Sequence, residues 1–357
     1  MKKIYFIFLF TSIFSFAQIP SGYYDSATGS GYTLKTQLYN IIKVHSDLGY
    51  SALYTTYLIS DIDSYYEMNG TMLDMYSENP TGADAYEYIY GINQDDGTGG
   101  TSEGEKYNRE HIIPQSVFSS ESPMRNDAHF VVPSDKFVNA QRSSFPFGVV
   151  DTPNWTSTNG SKRGNNLDSG YSAGYTATVF EPIDEFKGDI ARMYFYFATR
   201  YENDIDSWSY TMFNGSSDQV FDLTFLNILY NWHIQDPVST REIDRNNAIY
   251  NRQNNRNPFI DDENYVFAVW GSLLSTQENE RFDKISMYPN PVKNDFVYFY
   301  STQNLDIIIY NILGKQVIIE NITPAKDFIN VSNLNKGIYL VKIISSQGAV
   351  TKKLIIQ

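Results

Sequence analysis

The chain has four histidines, His45, His111, His129 and His233, and no cysteine. His45 and His233 fall in helical patterns beside apolar residues and read as structural. His111 differs. It closes Arg109-Glu110-His111 at the edge of a Gly-rich loop, so an acid and a base are adjacent with a cation beside them. That grouping suits phosphodiester cleavage. The negative oxygens of a phosphodiester repel a nucleophile, so a base that is neutral near physiological pH must activate water, and imidazole is the natural choice. A divalent cation must offset the developing charge. Hard cations such as Mg²⁺ take oxygen ligands, often few of them from protein. Glu110 offers a carboxylate, and Asn139 an amide oxygen. Arg142, one helical turn beyond Asn139, is placed to face the same site and hold a phosphate.

Residues 93–108, rich in Gly, Asp and Ser, read as an exposed loop leading into this motif. YNREHIIP then reads as a short strand stopped by Pro114, HFVVP as a second strand, and DKFVNAQRSS as a helix with Ser134 as its N-cap. A strand, strand, helix unit can bring side chains from all three pieces together. One condition attaches. Neighbours in a regular strand point to opposite faces, so Glu110 and His111 can share a site only at a strand end, a bulge or an irregular segment. Further helices are expected at 31–45, where Leu34, Leu38, Ile41 and Ile42 recur with helical spacing, and in KGDIARMYFYFATRYE and LTFLNILYNWHIQ. Ser239 and Glu242 have capping-box spacing and start another. NRNPFIDDENYVFAVWG reads as a turn into a short aromatic helix closing on Trp270. The Gly-, Asn- and Ser-rich stretch 154–174 reads as a long surface loop.

The N-terminus has the parts of a secretory signal peptide: Lys2-Lys3, an apolar run from Ile4 to Phe16, then Ala17. That run is too short for a spanning helix, and no stable membrane insertion is expected. Without cysteine, an exported chain must rest on burial alone. Charge argues against the phosphodiester reading. Residues 18–280 hold 16 Lys and Arg against 36 Asp and Glu, whereas phosphate binding usually rests on Lys and Arg. The window from Arg109 to Arg163 is near neutral, however, with six bases and five acids, and local field decides binding. Beyond Ile285 the pattern changes to short apolar runs separated by turn residues, which predicts a small all-β sandwich without a site of its own.

The strings YNREHIIPQSVF, PMRNDAHFVVPSDKFVNAQRSSFPFG, DEFKGDIARMYFYFATRY and WHIQDPVSTREIDRNNAIYNRQNNRNPFIDDENYVFAVW resemble, in order, the endonuclease I family of secreted bacterial nucleases. GYYDSATGSGYTLKTQLYNIIKVH and MLDMYS fit the same family, so the resemblance spans roughly 22–271. It implies a ββα-metal core that cuts DNA, and often RNA, with little sequence preference. It also implies dependence on Mg²⁺ or another divalent cation such as Ca²⁺ or Mn²⁺, and 5′-phosphate products. By resemblance His111 matches the general base, Glu110 the metal-binding acid and Asn139 the metal-binding asparagine. Arg142 lies in the same short motif. Arg125 is a second phosphate-clamp candidate, though some members carry that arginine in a longer cysteine-bearing insert absent here. Asp127 and His129 match a D-x-H element read as supporting rather than catalytic.

The tail strings ISMYPNPVKNDFVYFY, IYNILGKQV and LNKGIYLVKIISSQGAVTKKLIIQ resemble the C-terminal sorting domain of the type IX secretion system. That implies export to the medium or the cell surface. A carbohydrate- or surface-binding sandwich is the alternative for the tail. The expected class is therefore α+β: signal peptide 1–17, a ββα-metal core surrounded by helices over 18–274, a linker at 275–284 and the sandwich at 285–357. The chain is expected to act as a monomer on DNA and RNA. A narrower RNA or nucleotide phosphodiesterase, and a non-enzymatic surface-binding protein, stay open as alternatives.

Overall fold

The structure, a computed structural model, describes residues 19–282, 285–301, 304–311, 315–345 and 348–357. The expected signal peptide, 1–17, lies outside them. Buried apolar residues fall into two separate clusters, one running from Leu34 to Leu274 and the other from Ile285 to Ile356. The fold is α+β with an all-β tail, as the patterning predicts.

In the larger body, α1 (Gly31–Ile42) buries Leu34, Leu38 and Ile42, one stripe at successive fourth positions. Helix α2 covers Leu53–Ser60. The unit that carries the motif follows. Strand β1 (Tyr107–His111) pairs antiparallel with β2 (Val131–Asp135), setting Glu110 opposite Val132 and His111 opposite Val131, and α3 (Lys136–Arg142) begins where β2 ends. The N-cap of α3 is Asp135 rather than Ser134. Its carboxylate accepts the Val138 N–H at 2.7 Å, a stronger cap than a hydroxyl because the acceptor is charged.

The stretch 154–174 is not a loop. Strands β3 (Val150–Thr156), β4 (Lys162–Asn166) and β5 (Thr178–Glu181) form an antiparallel sheet with β4 in the middle. Its polar residues satisfy backbone instead of marking a coil: the Asn166 amide donates to the carbonyls of Leu167, Ser172 and Tyr175. Gly164 allows the close approach of β3, since a Cβ there would sit 2.4 Å from the Thr152 carbonyl oxygen.

Every residue of α4 (Lys187–Arg200) is buried, so this helix is the centre of the core and not an amphipathic surface element. Helix α5 (Leu223–Gln235) packs along it, and α6 (Thr240–Gln253) reaches it through side chains. Glu242 closes the expected capping box with Ser239 and also holds Arg192 of α4 with contacts of 2.6 and 2.7 Å. Helix α7 (Pro258–Asp261) is followed by α8 (Asn264–Phe282). Thus α8 does not close on Trp270, and the segment 275–284 is helical as far as Phe282. After Gly271 the sequence offers Leu, Gln, Glu and Arg and no proline, and a lone glycine does not stop a helix.

The tail contains β6 (Ser286–Tyr288), β7 (Phe296–Tyr300), β8 (Leu305–Asn311), β9 (Gln316–Ile322), β10 (Phe328–Asn330), β11 (Gly337–Ser345) and β12 (Gly348–Ile356). They form sheets ordered β10-β7-β6 and β12-β11-β8-β9. Inward residues alternate, as with Leu305, Ile307 and Ile309 on β8 and Tyr339, Val341 and Ile343 on β11. Among the described residues no helix is long and apolar enough to cross a membrane.

Candidate active site

Strand β1 ends at His111 and the chain bends at Ile112. This is how adjacent residues come to share a site, with no bulge in the β1–β2 register. A cavity of about 370 Å³ opens at that strand end, and Glu110, His111, Asn139 and Arg142 all line it. Arg109 and Tyr50 line it as well; Arg125 does not.

The His111 ring is fixed on one side. Its Nε2 lies 3.1 Å from the Arg125 carbonyl oxygen. A carbonyl can only accept, so Nε2 carries the hydrogen and Nδ1 keeps its lone pair. Burial, aided by the Arg125, Arg109 and Arg142 guanidiniums and opposed by the carbonyl bond, pulls the imidazole down to about 4. At neutral pH it is the uncharged imidazole, with Nδ1 free to accept a proton. Tyr50 stacks beside it, with centroids 5.9 Å apart and planes at 28°. The same phenol ring carries two guanidiniums, Arg109 at 3.5 Å and Arg125 at 4.1 Å. Neither arginine forms an ion pair with a described residue, so both leave positive charge at the cavity's edge.

Glu110 is only 3% exposed. Its Oε1 accepts the Tyr76 hydroxyl at 2.9 Å and lies 3.1 Å from Arg142 Nη1. Burial pushes this carboxyl up to about 7, against the pull of Arg142 and Tyr76. Asn139, half-buried on α3, donates its Nδ2 to Asn108 Oδ1 at 2.9 Å, which leaves the amide oxygen as its acceptor.

Arg142 departs from the expectation of a phosphate holder. It is 1% exposed, and its Nη1 donates to the His111 carbonyl at 2.9 Å while Nη2 reaches the Ile112 carbonyl. With Glu110 on the same guanidinium, it ties α3 to the end of β1. Arg125 contributes its backbone to His111 and its side chain to the Tyr50 stack. Asp127 accepts the hydroxyls of Tyr196 and Tyr201, each at 2.8 Å, and His129 Nε2 meets the Asn255 carbonyl at 3.0 Å. Neither of the two lines the cavity. His45 and His233 are likewise engaged, by Arg200 and Arg192.

Three contributors escape a reading by motif. Asn108 had a signal, since it shares a strand face with Glu110 two residues on. Tyr50 and Tyr76 come from distant loops and carry no local mark of their contacts with His111 and Glu110.

The pattern that defines the family described as Endonuclease I matches residues 30–264. The chain belongs to the Endonuclease I family. Residues 286–357 match a second pattern, the secretion system C-terminal sorting domain. The endonuclease I chain is 32% identical over 257 residues to an extracellular ribonuclease of Bacillus amyloliquefaciens, covering 70% of this chain and 78% of that protein. It is 31% identical over 258 residues to an extracellular ribonuclease of Bacillus subtilis (strain 168), again covering 70% and 78%. This is a nuclease that carries a type IX sorting tail, directed to secretion or the cell surface.

Proposed function

We propose that this endonuclease I chain hydrolyses internal phosphodiester bonds of DNA and RNA with little sequence preference, leaving 5′-phosphate ends. His111 Nδ1 takes the proton of an attacking water. Glu110 and Asn139 hold a divalent cation, Mg²⁺ or another such as Ca²⁺ or Mn²⁺. The donor set fits that ion. Both side-chain contacts of Glu110 fall on Oε1, leaving Oε2 without a side-chain partner, and the Asn139 amide nitrogen is engaged by Asn108. Two hard oxygens in one open cavity, with water and phosphate completing the shell, suit a Mg²⁺-class ion. When bound, the cation supplies positive charge against the phosphate and the leaving oxygen.

The chain's own residues do the rest. The Arg125 carbonyl orients the imidazole. Arg109 and Arg125, stacked on Tyr50, attract and hold a phosphate. Arg142 positions Glu110 and the strand end. The observation that carries the reading is the imidazole held at Nε2 by a carbonyl, its ring in the same cavity as Glu110 and Asn139. The acidic body and the ribonuclease names of the Bacillus relatives favour a second reading, RNA alone. Rates on duplex DNA, single-stranded DNA and RNA, each with Mg²⁺ and with EDTA, test both. Cleavage of all three substrates, abolished by EDTA, is the expected result. Cleavage of RNA only selects the narrower reading, and EDTA-resistant cleavage overturns the metal assignment.

The leader at 1–17 and a monomeric state belong to the same proposal. Mass spectrometry of exported protein tests the first through its N-terminal residue, and light scattering tests the second.

A further inference from the structure

Between Ser60 at the end of α2 and Tyr107 at the start of β1 the chain makes no helix or named strand, only turns and isolated bridges. It nevertheless places Leu73, Met75, Tyr76 and Tyr88 in the core. No disulfide ties it down, since the protein lacks cysteine.

Within this segment the carboxylates of Asp63, Glu67 and Glu78 converge, with one oxygen of each lying within 4.8 Å of the others. Acidic clusters are common and mean little by themselves. Glu78 is the independent observation. It is 1% exposed, and neither carboxylate oxygen has a hydrogen-bond partner. A buried carboxylate with both oxygens orphaned is costly unless something neutralises it. No described Lys or Arg forms an ion pair with any of the three. Asp84 adds a fourth acid nearby, tied to the same turn by accepting the Asn79 N–H at 2.6 Å. Asp63 is already set, with Oδ1 accepting the N–H groups of Tyr65 and Tyr66 at 3.1 and 3.0 Å and Oδ2 that of Met68 at 3.0 Å.

We propose that Asp63, Glu67 and Glu78, with Asp84 beside them, form a structural site for a hard divalent cation of the Ca²⁺ class, separate from Glu110 and Asn139. All its donors are oxygens, and irregular backbone of this kind suits the flexible shell of Ca²⁺ better than the strict octahedron of Mg²⁺. The cation pins two parts of one loop, Asp63–Glu67 and Glu78–Asp84, and so does the work of a cross-link. Two residues before Glu78 stands Tyr76, whose hydroxyl holds Glu110. The ion therefore also steadies a support of the catalytic carboxylate.

The test is thermal unfolding of the nuclease body in the full chain, with EDTA and with Ca²⁺, for wild type, Asn139→Ala and Asn139→Ala carrying Glu78→Gln. Calcium at about ten times a Kd typical of extracellular sites should raise the wild-type midpoint by about 2–6 °C. Asn139→Ala, which disables only the catalytic pair, still shows a rise, carried by the acidic cluster. Added to Asn139→Ala, Glu78→Gln loses it, yet in EDTA melts no lower than its parent, since it removes an uncompensated buried charge. Calcium bound at equilibrium dialysis should fall by one ion per chain. If Glu78→Gln fails to fold, half-buried Glu67→Gln carries the same comparison. An equal rise in the glutamine variant, or no rise in wild type at millimolar Ca²⁺, overturns the site and leaves Glu78 as a protonated acid.

Discussion

The His111 imidazole Nε2 lies 3.1 Å from the backbone carbonyl oxygen of Arg125. The contact is to backbone, so the Arg125 side chain can be removed without releasing the ring. Its guanidinium, over Tyr50 at 4.1 Å, serves a different purpose.

Arg125→Ala is therefore expected to raise KM by roughly tenfold, the worth of a hydrogen bond to a charged group, while kcat changes little. Steady-state kinetics on a defined oligonucleotide separates the two. The same few cations make binding salt-sensitive. With two phosphate contacts, going from 50 to 200 mM salt should weaken binding by roughly tenfold in wild type and less in the variant. A flat salt response would remove Arg109 and Arg125 from phosphate binding.

Arg142→Ala acts on stability first. It leaves Glu110 buried without its cation partner and frees the carbonyls of His111 and Ile112. Loss of one member of a buried pair costs about 3–5 kcal/mol, read by urea unfolding of the nuclease body. Arg142→Lys rescues poorly, because a single ammonium cannot span three acceptors. A variant of unchanged stability with a raised KM would return Arg142 to phosphate binding.

Acid should unfold the body through Asp127. Burial pushes this carboxyl up, but His45, His129, Gln253 and Arg200 outweigh it and hold it at about 2. Its folded pKa lies below the unfolded carboxylate value, so the stabilisation is complete above about pH 4 and is lost as pH falls toward 2. The loss is about 2–3 kcal/mol. Midpoints measured from pH 5 down to pH 2 should drop steeply in wild type. In Asp127→Asn the curve starts lower and has a shallower slope over that range.

The β1–β2–α3 unit was legible because its parts announce themselves locally: Pro114 stops one strand and Asn139 and Arg142 sit one helical turn apart. The strand-end condition on Glu110 and His111 follows from strand geometry, and the bend at Ile112 meets it. Other features depend on contacts distant in sequence. Asn166 looks like a loop residue until its amide is seen bonding three carbonyls of the same turn. Helix α8 runs past Trp270 because composition changes there while helix propensity does not. Ser134 and Asp135 both can cap a helix, and only the geometry chooses. Arg142 carries the same charge on a surface or in a core, so its engagement with Glu110 had no local sign. Tyr50 and Tyr76 reach the site by tertiary packing alone.

Water activation by His111 is the step on which the proposed chemistry turns. Its most direct test is cleavage of supercoiled plasmid and of RNA by the full chain and by His111→Ala, in Mg²⁺, with circular dichroism confirming the fold. At least a hundredfold loss is expected in the variant on both substrates, the scale of general-base catalysis, with KM nearly unchanged. A well-folded His111→Ala that cleaves at the wild-type rate would contradict it.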